Sequence, residues 1–293
     1  MAFDPKDFRV GPGRKFRIKN TPTDVPLCYD SKEDYSRQLA DRIDELDELQ
    51  EKLYSSASHS VLLVFQAMDA AGKDSTIRAV FSGINPQGCN VSSFKRPSHL
   101  ELAHDFLWRA TMQLPRRGMI GVFNRSYYEE VLVVRVHPGI LDAQAIPGMP
   151  STNTVWKQRF KSITEYEAHL SRNGTRIVKF FLNVSEEEQG RRLLDRIDTP
   201  RKNWKFDPND FYERQFWPDY MKAYEDCLNA TSTEDAPWYV IPADDKQNMR
   251  LIVADIVLHT MKKLDLAFPR LGDEDKEKME QARDSVNIKV KGK

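Results

Sequence analysis

The chain is short of cysteine. Its 293 residues hold only three, Cys28, Cys89 and Cys227, odd in number, far apart and with no CxxC pair. That count excludes a disulfide framework and a cysteine zinc site, and points to a reducing cytoplasm. Glycine (13) and proline (16) are too few for a collagen-like or low-complexity chain. No apolar run approaches the roughly 20 residues needed to span a bilayer, and MAFDPKDFRV carries no apolar signal segment, so no membrane role is expected. There is no net charge either, 44 Lys plus Arg balancing 44 Asp plus Glu, which argues against nucleic acid as the main partner. A polyanion would have to be met by a local patch.

What is present is a globular composition, 40% hydrophobic and 30% charged, long enough for one large or two small domains. Residues 1–30 mix Pro, Gly and charge without a period, include the basic cluster Arg14, Lys15, Arg17 and Lys19, and read as an N-terminal arm. Leu39, Ile43, Leu46, Leu49 and Leu53 recur at steps of three and four and predict an amphipathic helix over 31–55. Strand and helix patterns then alternate: strand 61–65, helix 73–84, strand 91–94, a helix from the Ser98/Glu101 capping box to about 114, and strand 119–123. A second round follows a Pro- and Gly-rich loop: helix 154–172 stopping at Asn173-Gly174, strand 176–182, a helix from a Ser185/Glu188 capping box to about 199, helix 210–230, strand 238–241 and helix 246–266. Such alternation implies an α/β fold with a parallel sheet flanked by helices, whose ligands sit beyond the carboxyl ends of the strands. The division expected is an arm (1–30), one domain (31–270) and a charged, apolar-poor disordered tail (271–293).

Three stretches carry candidate chemistry. Gln66 to Thr76 lies between the first strand and its helix and approximates GxxxxGK[ST], in which backbone N–H groups of Ala70, Ala71, Gly72, Lys73, Asp74 and Ser75 would cradle phosphate while Lys73 neutralises it. Ala67 replaces the first Gly and Asp74 the metal-binding Ser or Thr; Asp69 could hold magnesium or orient an attacking group. The alternative is a tight turn with Lys73 solvated. Next, strand 119–123 runs into Asn124, Arg125 and Glu129; Arg125 could clamp a transferring phosphoryl group and Glu129 sit near an acceptor, or the two could pair on a surface turn. Third, Arg191, Arg192, Arg196, Arg201, Lys202 and Lys205, interleaved with Trp204 and Phe206, could be a lid that closes on phosphates, or a solvated helical face. None of the six histidines has a partner at metal-ligand spacing.

In these motifs the chain resembles the polyphosphate kinase 2 family. The likeness runs over roughly residues 10–265, through LLVFQAMDAAGKDSTIRAVFSGINPQG (62–88), FNRSYYEEVLVVRV (123–136), KFFLNVSEEEQGRRLLDRID (179–198), NWKF (203–206) and APWYVIPADDK (236–246). It implies a P-loop kinase-like fold similar to the thymidylate kinases, with a helical lid at about 185–215. It also implies phosphoryl transfer between inorganic polyphosphate and the adenine nucleotides AMP, ADP and ATP, with magnesium, in a homo-oligomer, dimer or tetramer. By the same resemblance, Asp69 holds metal or activates the acceptor phosphate and Lys73 and Arg125 bind the transferring phosphates. Arg191, Arg196, Arg201, Lys202 and Lys205 grip the polyphosphate chain. Asn124 and Glu129 look like the subgroup that phosphorylates both nucleoside mono- and diphosphates. The competing functions are an ATP-dependent nucleoside monophosphate kinase and a non-catalytic nucleotide- or polyanion-binding module.

Overall fold

A computed structural model of the chain describes residues 3–149 and 152–285. Its centre is strand β1 (Ser60–Gln66), seven consecutive buried residues. A run apolar on both faces is what a strand needs when helices cover it on each side, and each such Val, Leu or Phe contributes about 1.5–3 kcal/mol by leaving water. Around it lie β2 (Cys89–Ser93), β3 (Ile120–Asn124), β4 (Thr175–Asn183) and β5 (Trp238–Pro242), in the order β2-β3-β1-β4-β5, all parallel. The α/β parallel sheet expected from the alternation is therefore the fold observed.

Helix α1 (Lys32–Ser56) starts where Ser31 Oγ accepts the Asp34 N–H. Its buried stripe, Leu46, Gln50 and Leu53, faces the sheet's helix α7 (Lys246–Lys262), to which Arg42 is clamped by a two-point pair with Asp255 (2.8 and 3.1 Å). Helix α7 begins at its Asp245 cap and is buried nearly all round, as a helix must be when it lies between a sheet and another helix. Between these, α2 (Lys73–Val80) follows β1 directly, α3 (Thr152–Arg172) precedes β4 and ends at Gly174 (φ 90°), and α4 (Glu186–Asp198) follows β4.

Several boundaries differ from the sequence-based expectation. The helix expected over 98–114 is two short turns, His99–Leu102 and Trp108–Thr111: the Ser98/Glu101 capping box forms, but Asp105 then accepts the Leu107 N–H and starts a second turn. The box expected at Ser185 is half made. Ser185 Oγ accepts from Glu188 N–H, while the Glu188 carboxylate turns to Arg191 and Arg192 instead. Helix 210–230 is divided into α5 (Pro208–Arg214) and α6 (Trp217–Thr231), because Pro218 has no N–H to continue a helix and is accommodated in a new first turn. The N-terminal arm is not free: Val10 is buried, its N–H donates to Trp238 O at 2.9 Å, Arg17 pairs with Glu225, and Thr23 bonds Asp244. In place of a disordered tail from 271, helix α8 (Asp273–Ser285) forms with every residue exposed, held by local pairs such as Lys278–Glu274. The rest of the tail lies outside the described residues.

Candidate active site

At the carboxyl end of β1 the chain turns through Ala67–Gly72 into α2. Ala70 (φ 60°) and Gly72 (φ 111°) are left-handed and flank Ala71, an alternation that turns successive N–H groups toward one side and makes an anion-sized concavity. The N–H groups of Lys73, Asp74 and Ser75 at the start of α2 add to it, the first intrahelical bond being made only by Thr76 N–H to Gly72 O (3.0 Å). Ala67 is not among the positive-φ residues, so glycine is not required there. Lys73 is 8% exposed and folds back over the loop, its Nζ donating to Ala67 O (2.8 Å) and Met68 O (3.2 Å). Burial lowers its pKa and the Asp69 carboxylate opposes the shift. The solvated-lysine alternative is thereby excluded.

The end of β3 closes the other side. Arg125, at φ 63°, donates from Nη2 to Asp69 Oδ1 at 2.7 Å, and Asn124 Nδ2 donates to Asp74 Oδ1 at 2.6 Å. A left-handed non-glycine residue costs about 1–2 kcal/mol, which the surrounding contacts must offset. The surface-turn pairing of Arg125 with Glu129 does not form; Arg125 faces Asp69. Glu129 lies half-buried in the turn that follows, outside the cleft lining. Burial raises its carboxyl pKa, with Arg125 and then Lys73 opposing. Burial alone would lower the Arg125 pKa, but Glu129 and Asp69 outweigh it and raise it. Glu130 belongs to a different set: buried, it accepts from Arg159 (3.1 Å) and Gln144 (2.8 Å).

Beneath this turn is a fully buried ion pair. Lys179 Nζ on β4 donates to Glu167 Oε2 (2.6 Å) on α3, to Tyr128 Oη (2.9 Å) and to Thr231 O (2.8 Å). Glu167 Oε1 accepts both the Tyr127 and Tyr128 hydroxyls at 2.8 Å. The two residues after Ser126 are thus pinned from below, and with them the segment that presents Arg125 and Glu129.

The third candidate stretch divides. Arg196 pairs with Asp210, Lys202 with Asp195, and Lys205 lies over the Trp204 ring (5.0 Å), all three lining the cleft. Arg191 is exposed beside Glu187 and Glu188, and neither it nor Arg201 lines the cleft. Arg192 is buried instead, tied to the backbone of the β1–α2 loop.

The cleft over these elements holds about 890 Å³ and is lined by eleven Lys or Arg against three Asp. Five of those cations were not picked out from the sequence: Arg78, Lys95, Arg96, Lys246 and Arg250. The signal for Lys95, Arg96 and Lys246 was their place just past the ends of β2 and β5, where ligands of parallel sheets bind. Among the described residues no group of three or more His, Cys, Asp or Glu could hold a metal alone. Asp69 and Asp74 nevertheless flank the loop as two hard carboxylates, a donor set that suits a cation completing its shell with water and phosphate oxygens.

The polyphosphate kinase 2 family model matches residues 29–269. The chain belongs to the polyphosphate kinase 2 family. It is 57% identical over 270 residues to the ADP-polyphosphate phosphotransferase of Rhodopseudomonas palustris, covering 92% of this chain and 93% of that one. It is 44% identical over 266 residues to the AMP/ADP-polyphosphate phosphotransferase of Meiothermus ruber, covering 90% and 96%. The crystal structure of polyphosphate kinase 2 from Arthrobacter aurescens TC1 superposes with a TM-score of 0.86 at 37% identity, covering 96% of this chain and 98% of that one.

Proposed function

We propose that this member of the polyphosphate kinase 2 family moves the terminal phosphoryl group of inorganic polyphosphate to AMP and ADP, forming ADP and ATP. The observation that carries the reading is the excess of cations in one cleft: besides Arg192, whose donors the protein itself takes up, ten Lys or Arg line the space around a single phosphate-sized loop, more than one nucleotide's phosphates call for. The names of the two relatives agree with it, one acting on ADP and the other on AMP and ADP.

In this reading a terminal phosphate oxygen of the acceptor attacks the last phosphorus of polyphosphate in line, and the protein supplies position and charge neutralisation rather than covalent chemistry. The loop N–H groups of Ala70 and of Gly72 to Ser75 hold the donor phosphates, the Ala71 N–H donating instead to Met68 O (3.3 Å). Lys73 exchanges its two carbonyl contacts for phosphate oxygens, and Arg125, held charged by its two carboxylate neighbours, spans the transferring group. Asp69 would hold Mg2+, with Asp74 close by, and the cation would supply further neutralisation of the phosphate charge. Arg196, Lys202 and Lys205, on a lid formed by α4 and the turn after it, grip the polyphosphate chain. Glu129 acts from behind, through Arg125 and Lys73, whose charges it faces. Assembly as a homo-oligomer and a cytoplasmic setting complete the proposal.

An ATP-dependent monophosphate kinase would use the same fold, but Asp74 stands where its metal-binding Ser or Thr belongs. Donor exchange tests the point: AMP phosphorylation is followed with either polyphosphate or ATP as the donor. Faster turnover with polyphosphate is expected; turnover with ATP alone would overturn the reading.

A further inference from the structure

Arg192 lines the cleft, yet it has nothing left to offer a phosphate. Its five N–H groups all have protein acceptors: Nε donates to Glu188 Oε1 (2.7 Å), Nη1 to Ala70 O (3.3 Å) and Ala71 O (2.7 Å), and Nη2 to Ala243 O (2.6 Å) and Asp244 O (2.9 Å). A guanidinium presents five donors in a fixed fork, so this one is saturated. One turn earlier, Gln189 Nε2 donates to Asp69 O at 3.2 Å, and its Oε1 is fixed by Arg214 at 2.6 Å. Lys73 takes the carbonyls of Ala67 and Met68. Five consecutive carbonyls, 67 to 71, are therefore all engaged by side chains, three of them from α4.

A peptide plane carries its N–H opposite its C=O, so fixing these carbonyls fixes which way the loop's N–H groups face. The loop includes Ala70 at φ 60°, a left-handed conformation that a non-glycine residue keeps only when its surroundings impose it. We propose that Arg192 and Gln189 are positioning residues: from the first turns of the lid helix they hold the carbonyls of Asp69, Ala70 and Ala71 so that the phosphate loop stays formed before any anion arrives. Arg192 also ties that loop to the β5–α7 turn, just ahead of Lys246, so one buried side chain sets the spacing of two walls of the cleft. The moving part of the lid then begins after Arg192, at Arg196 and the turn to Lys205. The inference rests on the phosphate-binding reading of the loop and goes beyond it by assigning what shapes that loop.

Charge and geometry are separated by Arg192→Lys, which keeps the cation but offers one nitrogen in place of a fork spanning two loops. Tripolyphosphate binding to the whole protein is measured by calorimetry, alongside kcat and KM for polyphosphate and thermal unfolding. At least tenfold weaker tripolyphosphate binding and at least tenfold lower kcat are expected for Arg192→Lys, with Arg192→Gln no worse than the lysine variant. Binding and kcat within twofold of wild type would overturn the proposal. So would a graded series in which lysine retains most of the affinity and glutamine loses it, since that is the behaviour of a direct grip on the anion. If the Arg192 variants do not fold, Gln189→Met decides: at least threefold weaker binding is expected, and unchanged binding would refute the role. Calorimetry needs no turnover, so a wild type that binds tripolyphosphate but transfers nothing would overturn the kinase reading and leave the positioning role to the variants.

Discussion

Replacing Lys179 with methionine would leave the Glu167 carboxylate, 1% exposed, without its cation at the floor of the site. The Lys179 ammonium makes three hydrogen bonds there, and the two tyrosine hydroxyls on Glu167 Oε1 cannot replace its charge. Breaking a buried pair by removing one partner costs about 3–5 kcal/mol, most of it the uncompensated charge. At about 2–4 °C per kcal/mol for a domain of this size, the unfolding midpoint should fall by roughly 10 °C. Adding Glu167→Gln removes the stranded charge while keeping an acceptor for Tyr127 and Tyr128, so the double variant should be more stable than Lys179→Met alone. Urea and thermal unfolding of the four proteins in the cycle measure this. Because the pair pins the segment that presents Arg125, Lys179→Met should also lower kcat among the molecules that stay folded. A Lys179→Met protein within about 0.5 kcal/mol of wild type, or a double variant less stable than the single, would refute the argument.

Other consequences are direct. Lys73→Ala and Asp69→Asn should each lower turnover by about 10²–10³-fold, the effect of losing one preorganised contact to a charged transition state, while both proteins stay folded by circular dichroism; near-normal rates in either would remove that residue from the chemistry. Burial raises the Glu129 carboxyl above its ordinary 4.5, so the folded chain binds that proton more tightly than the unfolded chain does. The cost of keeping it charged is absent at low pH and grows as pH climbs from the ordinary value through the raised one. Glu129→Gln should therefore gain thermal stability over wild type at about pH 7.5 and not at about pH 4, and equal differences at both would contradict the shift. Gly72→Ala must place a Cβ at φ 111° and 3.1 Å from Met249 Cε, so tripolyphosphate binding should weaken at least tenfold; unchanged affinity would show that the loop does not need this conformation.

What the sequence shows of this site follows from how local each part is. The β1–loop–α2 unit is contiguous, so an apolar run, small residues and Gly72-Lys73 sufficed to place it. The parallel sheet was legible because each strand and each crossover helix carries its own period, although only the structure places Arg125 against Asp69, 56 residues away. Arg192 could be seen as one of six basic residues, and nothing in its spacing separates a saturated brace from Arg196 and Lys202, each paired with one carboxylate at the cleft. That difference is made by the loop carbonyls that meet it in space. Arg78, Lys95, Arg96, Lys246 and Arg250 sit in three separate segments with no shared motif, and join only when the strand ends converge. The helix patterns at 98–114 and 210–230 run across breaks in the helices because Asp105 and Pro218 restart the chain locally while the apolar period continues past them. The arm's lack of period says nothing of the Val10 and Arg17 contacts that hold it down.

The central claim is tested most directly by nucleotide chromatography of reactions containing purified protein, magnesium, polyphosphate and either AMP or ADP, with Asp69→Asn as the control. The account predicts ADP and ATP from AMP and ATP from ADP, each formed about 10²–10³-fold more slowly in the control. No product from either acceptor with the wild-type protein would contradict it.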